Sequence, residues 1–453
     1  MPRRSAVRPP GPSSIATFAK LISGRFDVTR FATDLTTEFP RIAHLRVPGD
    51  HVYALHHPDL IRAFFVENST KVEKADALKK STPLLGNGLL TSEGSEWKRH
   101  RKMVQPAFHV TRIHRYADLM AANAAALRDS WADGQSIEIA AAMSGVTLNI
   151  VGEALFGDEL GVHAARVAPA LNHALEGTAR RFTPLGRALS RVPTKTNRDA
   201  KAGVKYLSTL VHQIAKEHRD AGDRNDLLSL LIAATDDDDS SALSHQQVVD
   251  EAMTLILAGH ETTAMALTWA WMLLQRNRTV REQLHAEIDA VLTDEHTLTF
   301  DDFARLPYTR AVFAESLRLF PPAWIMGRKT IEDMEIDGWH IPATSTIACW
   351  PYVLHRDKRF WDRPASFDPR RWITSDGTFD DSAPGQPLGS WLAFGIGQRK
   401  CVGQMFAWVE GVFILATLAR QWNLEIPIDF KLQVTPAITL RPHHGIPATV
   451  RSR

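Results

Sequence analysis

The stretch FGIGQRKCVG occupies residues 394–403. It sets one of only two cysteines in a 453-residue chain among three glycines and two basic residues. Free cysteine is one of the most buried residue types, and Cys349, inside TIACWPY, fits that reading of a structural thiol. Cys401 has different surroundings. It opens VGQMFAWVEGVFILATLARQW, which has helical apolar spacing, and a helix N-terminus stabilises a thiolate through free N–H groups and positive partial charge. Gly395 and Gly397 permit a tight loop, and Gly403 lets the backbone approach something flat and bulky. Arg399 and Lys400 add positive charge beside an anion.

A thiolate presented in this way is either a nucleophile or a metal ligand. A nucleophile wants a nearby base, and the segment holds no His. Ligation of haem iron fits better. Composition is consistent with this. The net charge is +2, with 44% hydrophobic and 23% charged residues, as in an ordinary soluble globular protein. The even charge balance does not point to nucleic acid. Two cysteines build neither a disulfide framework nor a Cys-rich zinc site, and they suit a reducing, cytoplasmic compartment. The N-terminal MPRRSAVRPPGPSS lacks an apolar core behind its charges, so it reads as an extended Pro-rich leader and not as a signal or membrane anchor.

Further along, RIAHLRVPGDHVYALHHP (41–58) reads as two short strands around a turn. Residues 59–66 and 95–130 read as helices, with 77–94 loop-like between them. Helical patterns fill about 114–232, broken near 181–198, and ATDDDDSS (234–241) is a solvated acidic link. Ser244 with Gln247 makes a capping-box signal for a helix running to about residue 277. Within it, residues 252–274 have the length of a bilayer span, but Gly259, His260, Glu261, Thr262 and Thr263 sit mid-way, where an ionisable group is costly. A helix buried in a soluble core fits better. Another helix, about 308–319, ends against Pro321-Pro322. Strand patterns follow over 325–350, then a loop-rich stretch (355–393), a helix over about 402–421 and short terminal strands. The expected fold is mainly α with a small β-rich region made from distant segments. Residues 1–39 form the leader and a first helical segment, and 40–453 form a single domain.

Five motifs then share one resemblance. Phe394-Gly395-x-Gly397-x-Arg399-x-Cys401-x-Gly403 resembles the haem-binding signature of the cytochrome P450 family. AGHETT (258–263) resembles its oxygen-activation motif, ESLR (315–318) its Glu-x-x-Arg motif, and FDPRRW (367–372) the segment whose Arg completes that triad. WKRHR (97–101) resembles the Trp-x-x-x-Arg pattern of the helix that meets the haem propionates. Arg370 stands where the family often has Glu.

The resemblance implies the P450 fold, with haem between the long central helix and the Cys-loop helix. Cys401 is then the axial ligand to iron. Ala258, Gly259, Phe394, Gly395 and Gly403 border the cofactor, and Trp97, Arg101, Arg328 and Arg399 face its propionates, with His100 as a further candidate. Glu315, Arg318 and Arg371 form the structural triad that holds the Cys401 loop. On spacing alone, Glu315 and Arg318 share a helix face and would also fit a weak surface pair. Glu261 and Thr262 are the expected proton carriers. Without that role, Thr262 would bond back one turn and Glu261 would be a satisfied core charge.

The implied activity is that of a soluble, bacterial-type haem-thiolate monooxygenase. It inserts one oxygen atom of O2 by hydroxylation or epoxidation, as in secondary metabolism. The expected cofactor is haem b, with NAD(P)H acting indirectly. The stretch after Cys401 is too short for a fused flavin domain, so a ferredoxin or flavodoxin with its reductase is expected. It would dock near Lys98, Arg99, Lys102, Arg112 and Lys400. Two other classes share parts of the pattern. A peroxide-driven peroxygenase typically replaces the acid–alcohol pair, and an electron-transfer or gas-sensing haem protein has no need of it. The implied pocket includes Leu257, Ala323, Trp324, Ile325, Met326, Ile438 and Leu440. These stretches carry no Arg or Lys, which points to an uncharged lipophilic substrate: a terpenoid ahead of a steroid or macrolide, then a fatty acid.

Overall fold

The computed structural model describes residues 8–13, 27–47, 49–157, 163–180, 189–190, 192–222, 224, 226–234, 242–292 and 297–453. The chain divides into two compact units, each stitched together from distant segments. The first takes Met1–Asp76, Leu317–Phe367 and Asp380–Cys401. The second takes Ala77–Ser316, Asp368–Phe379 and Val402–Arg453.

The first unit is built on a five-stranded sheet in the order Ile42–Val47, Asp50–Leu55, Thr346–Cys349, Met326–Thr330, Val72–Lys74. The first two strands form the expected hairpin, registered from Ile42↔Leu55 to Val47↔Asp50, and Gly49 takes φ +82° at its turn. Asp50–Leu55 then runs parallel to Thr346–Cys349, with Val52 opposite Thr346. Tyr53, Leu55, Ile61, Phe64, Ile347, Cys349 and Leu392 bury their side chains in one core. Burial in that core pushes the Cys349 thiol up to about 12, as a structural role requires. Leu392 has a second importance, because it fixes the start of the Cys401 loop to this core.

The second unit is helical. Its central helix, His245–Arg276, opens on the expected capping box, with Ser244 Oγ accepting from Gln247 N–H and Gln247 Oε1 from Ser244 N–H. From Val248 to Leu274 every residue of this helix is buried except Ala258, Gly259 and Thr262. Helix Ile139–Phe156 lies against it, its Thr147 hydroxyl donating to His260 O at 3.0 Å. A Cβ on Gly259 would stand 3.0 Å from Val151. Helix Gln404–Gln421 approaches Phe313 so closely that a Cβ on Gly411 would fall 2.3 Å from the ring. Helices Ala164–Arg180 and Lys195–Ala221 meet through small residues, with a Cβ on Gly203 falling 2.4 Å from Ala170 O. One helix, Ile139–Phe156, is long and apolar enough to span a bilayer, but 61% of that window is buried inside the fold.

Several boundaries differ from the sequence expectation. The helix expected over 95–130 is two, Gly94–Val104 and Val110–Asp129, parted by a 3-10 turn at Gln105–Phe108 where Pro106 has no N–H to donate. The 77–94 stretch contains two short helices, Asp76–Lys79 and Thr82–Leu85, and is not plain loop. Half of the segment expected to break the helices over 181–198 falls outside the described residues, and the next helix starts at Lys195. Most of the acidic link also lies outside them.

Candidate active site

The Cys401 loop belongs to the first unit, which holds it by a chain of hydrogen bonds. Arg318 sits there with no solvent exposure. Its guanidinium donates to His355 O at 2.6 Å, Pro364 O at 2.8 Å and Ser366 O at 2.9 Å. The His355 ring accepts from Leu392 N–H at 2.9 Å, Leu392 O from Gly395 N–H, and Phe394 O from Cys401 N–H at 2.9 Å. Burial and the Arg318 charge hold the His355 ring well below its ordinary pKa, so it stays neutral and its Nε2 is an acceptor. Gly395 and Gly397 take φ +75° and +72°, and a Cβ on Gly397 would stand 2.6 Å from Phe65 O. The outcome is a rigid loop ending in an exposed thiol at Cys401, in contrast to the buried Cys349.

In the second unit, the accessible notch on the central helix is made by Ala258, Gly259 and Thr262. The Thr262 hydroxyl donates to Ala258 O at 2.7 Å, the back-bond open to any helical Thr. Its lone pairs remain able to accept. Glu261 is buried, and its Oε1 accepts from Thr439 Oγ1 at 2.5 Å and Arg441 Nε at 2.6 Å. Neither donor carries a sequence signal, since they lie 178 and 180 residues away. Next to it, burial first and the Arg441 charge second pull the His260 ring down to about 4.

Glu315, fully buried, accepts from Arg371 Nε at 3.2 Å, Asp368 N–H at 3.0 Å and Trp372 Nε1 at 3.0 Å. The geometry thus joins Glu315 to Arg371 and adds Trp372, which the sequence reading missed. Arg370 is turned elsewhere, forming a two-pronged pair with Asp368 at 2.7 and 2.9 Å.

On helix Gly94–Val104, Trp97 is buried and Arg101 half-buried. His100, a candidate for a propionate, is otherwise engaged. Its Nδ1 lies 2.7 Å from Glu251 Oε1 with both side chains fully buried, and its Nε2 lies 3.3 Å from Gln247. Glu251 also accepts from Leu89 N–H and Asp250 from Asn87 N–H, which fastens the 86–89 turn to the central helix. Arg328 and Arg399, in the first unit, are half-buried.

Among the apolar stretches, Ala323 and Ile325 are exposed, Met326 and Ile438 half-buried, and Leu257 and Trp324 largely buried. Leu440 is fully buried, and its carbonyl accepts from Trp269 Nε1 at 3.1 Å. A buried acid that sequence reading missed is Glu410, on helix Gln404–Gln421. Desolvation raises its carboxyl to about 8, opposed only by Thr263 of the central helix. Among the described residues no cluster of His, Cys, Asp or Glu has the make-up of a metal site.

The first unit offers an exposed thiol on a glycine loop, and the second, taken by itself, a small-residue notch in a buried helix. Comparison with known proteins decides the matter. The family description "Cytochrome P450" matches residues 9–444. The chain belongs to the cytochrome P450 family. Cyclooctatin synthase of Streptomyces melanosporofaciens is 38% identical over 88% of this chain and 86% of its own length. Cyclooctat-9-en-7-ol 5-monooxygenase of the same organism is 33% identical over 84% and 82%. Pentalenene oxygenase of Streptomyces avermitilis is 31% identical over 86% and 85%. Among solved structures, the cytochrome P450DA heme domain superposes with a TM-score of 0.87 and 26% identity, covering 99% of each chain. The P450 is thus an oxidoreductase of the kind that incorporates O2, with haem as its cofactor and a redox partner as its electron source.

Two of the fully buried acids, Glu315 and Glu410, should each reveal themselves in stability. Glu315→Ala leaves the Arg371 guanidinium, the Trp372 indole and the Asp368 N–H without their acceptor, and should cost roughly 3–5 kcal/mol in thermal or denaturant unfolding. Glu410→Gln should act through pH. A carboxyl raised from 4.5 to about 8 is neutral in the fold, so its contribution is complete below 4.5 and fades as pH climbs through 8. The variant should therefore match the parent in acid and melt at a higher temperature above pH 8, as seen in melting curves across that range.

Proposed function

We propose that this P450 hydroxylates or epoxidises a cyclic terpenoid, with haem b bound through Cys401 and electrons from a separate ferredoxin or flavodoxin and its NAD(P)H-dependent reductase. The observation that carries the substrate class is the identity of 31–38% to three relatives named for cyclooctatin, cyclooctat-9-en-7-ol and pentalenene. The chemistry of the stretches that the family resemblance assigns to the substrate supports it. Ala323, Trp324, Ile325, Met326, Leu257 and Ile438 are apolar, with no cation among them to anchor a carboxylate.

Haem bound at Cys401 supplies the chemistry that splits dioxygen, one atom entering the substrate and the other leaving as water. The chain supplies position and protons. Cys401 donates thiolate charge from a loop too rigid to retract. Trp97, Arg101, Arg328 and Arg399 offer donors to the propionates. The opening at Ala258 and Gly259 leaves room for a diatomic ligand, and Thr262 with Glu261 delivers the two protons that water formation requires. The intact acid–alcohol pair favours an O2-driven enzyme over a peroxide-driven one or an electron carrier. Lys98 and Lys102, exposed on helix Gly94–Val104, offer charge to an acidic redox protein, and a cytoplasmic location suits such a partner.

Two measurements test this reading. The reduced protein with carbon monoxide should show the red-shifted Soret band of thiolate-ligated haem, which Cys401→His should abolish and Cys349→Ala retain. A band that survives in the Cys401 variant sinks the ligand assignment. In spectral titrations, cyclic terpene alcohols and hydrocarbons should displace the iron-bound water at lower concentration than fatty acids of matched size. The reverse order would remove the terpenoid assignment.

A further inference from the structure

Helices Ala164–Arg180 and Lys195–Ala221 touch where both carry little or no side chain. A Cβ on Gly177 would stand 2.4 Å from the Ala200 Cβ, as one on Gly203 would from Ala170 O. Gly177 and Ala200 also line a cavity of about 380 Å³, bordered further by Pro83 and Leu84 of the short helix Thr82–Leu85. All of its described lining residues belong to the second unit and none to the central helix. The cavity is therefore distinct from the notch at Ala258, Gly259 and Thr262.

The wall supplied by helix Lys195–Ala221 has two characters. Asn197, Ala200, Lys201, Val204, Lys205 and Ser208 follow helical spacing, so one face of the helix turns to the cavity. Ala200 and Val204, with Leu84 and Ala174, offer a surface for hydrocarbon. Lys201 and Lys205 are exposed and stand one turn apart. Among the described residues neither lysine has an ion-pair or hydrogen-bond partner, and none of the lining residues is an acid. Asp199, on the same helix, is paired with Lys195 at 3.1 Å. Asn197 fixes one end of the cavity, its Nδ2 donating to Leu189 O at 2.9 Å and Val192 O at 2.7 Å.

We infer that this cavity binds a small amphipathic anion, its hydrocarbon part against Leu84, Ala174, Ala200 and Val204 and its carboxylate or phosphate on Lys201 and Lys205. The volume lies within the range of small-molecule sites, which are mainly apolar with a few polar groups to orient the ligand. Two lysines about 6 Å apart along the helix axis can serve one head group, each as a point charge. The stretches that the resemblance assigns to the substrate carry no Lys or Arg, so an acid is better held here than there. Occupancy breaks no bond. It ties the two long helices to Thr82–Leu85 and stabilises the folded state.

The test uses haem-loaded enzyme whose iron is blocked with phenylimidazole. Binding of decanoic acid, decyl phosphate and decanol is measured by equilibrium dialysis, with the Soret band recorded alongside. At least one acid should bind at one equivalent per chain without moving that band, and decanol should bind roughly tenfold more weakly. The acid that binds more tightly identifies the head group as carboxylate or phosphate. Changing both Lys201→Ala and Lys205→Ala should weaken the acids roughly tenfold, while Lys201→Arg with Lys205→Arg should retain them. Raised salt should weaken the acids and not decanol. Val204→Trp, which fills the cavity, should abolish binding of all three with haem content unchanged. Failure of both acids to bind, or parental affinity in the double alanine variant, overturns the anion site. Decanol bound as tightly as the acids overturns it too and leaves an apolar cavity only. An acid that moves the Soret band overturns it by placing the acid at the haem, which would also count against an uncharged substrate. A failed terpenoid titration, read at the haem, leaves this site untouched.

Discussion

The site depends on a guanidinium with no access to water. A buried, unpaired charge costs several kcal/mol, and Arg318 avoids that cost by donating to the carbonyls of His355, Pro364 and Ser366. The planar fork of an Arg can reach three carbonyls in fixed directions, while a Lys ammonium presents a single point. Two segments, at His355 and at Pro364–Ser366, are therefore tied to one planar group. His355 extends the hold, because the residue whose carbonyl Arg318 fixes also uses its ring to accept from Leu392 N–H. Leu392 in turn is locked into the apolar core. Hydrogen bonding and burial thus converge on the residues just before Phe394. They present Cys401 outward on a loop that has no freedom to fold it in.

The central helix solves the opposite problem, keeping a segment apolar enough to bury while placing ionisable groups inside it. Asp250, Glu251 and Glu261 each have donors from distant segments: the 86–89 turn, His100, and the 434–442 hairpin. Each donor cancels a desolvation cost that would otherwise expel the helix from the core. The same bonds fasten those segments to the central helix. Between Val248 and Leu274 the helix stays accessible only at Ala258, Gly259 and Thr262.

Local rules made much of this legible. The Ser244 capping box, the hairpin over 42–55, the break before Pro321 and the glycine-framed Cys401 depend on residues close in sequence, so their patterns survive in the chain itself. The partners of buried charges did not. His355 for Leu392, Trp372 for Glu315, and Thr439 and Arg441 for Glu261 are chosen by packing between segments 37 to 180 residues apart. Periodicity does not encode such choices. His100 shows the converse error: its place beside Trp97 and Arg101 suggested a propionate, but its helix turns it toward Glu251. Glu410 was hidden for a related reason, because one acid in an apolar helix reads like a tolerated surface charge until its burial is known.

The sequence left two readings of Glu261 and Thr262 open, and the geometry shows why they need not compete. Thr262 bonds back to Ala258 O, and Glu261 is a satisfied core charge held by Thr439 and Arg441. Both are what a purely structural role demands of buried polar groups. A proton carrier needs such a resting state too, since an acid left unpaired in the core would destabilise the fold between turnovers. Arg441, partly open to water, meets that need together with Thr439, where a neutral partner alone would leave the charge uncompensated.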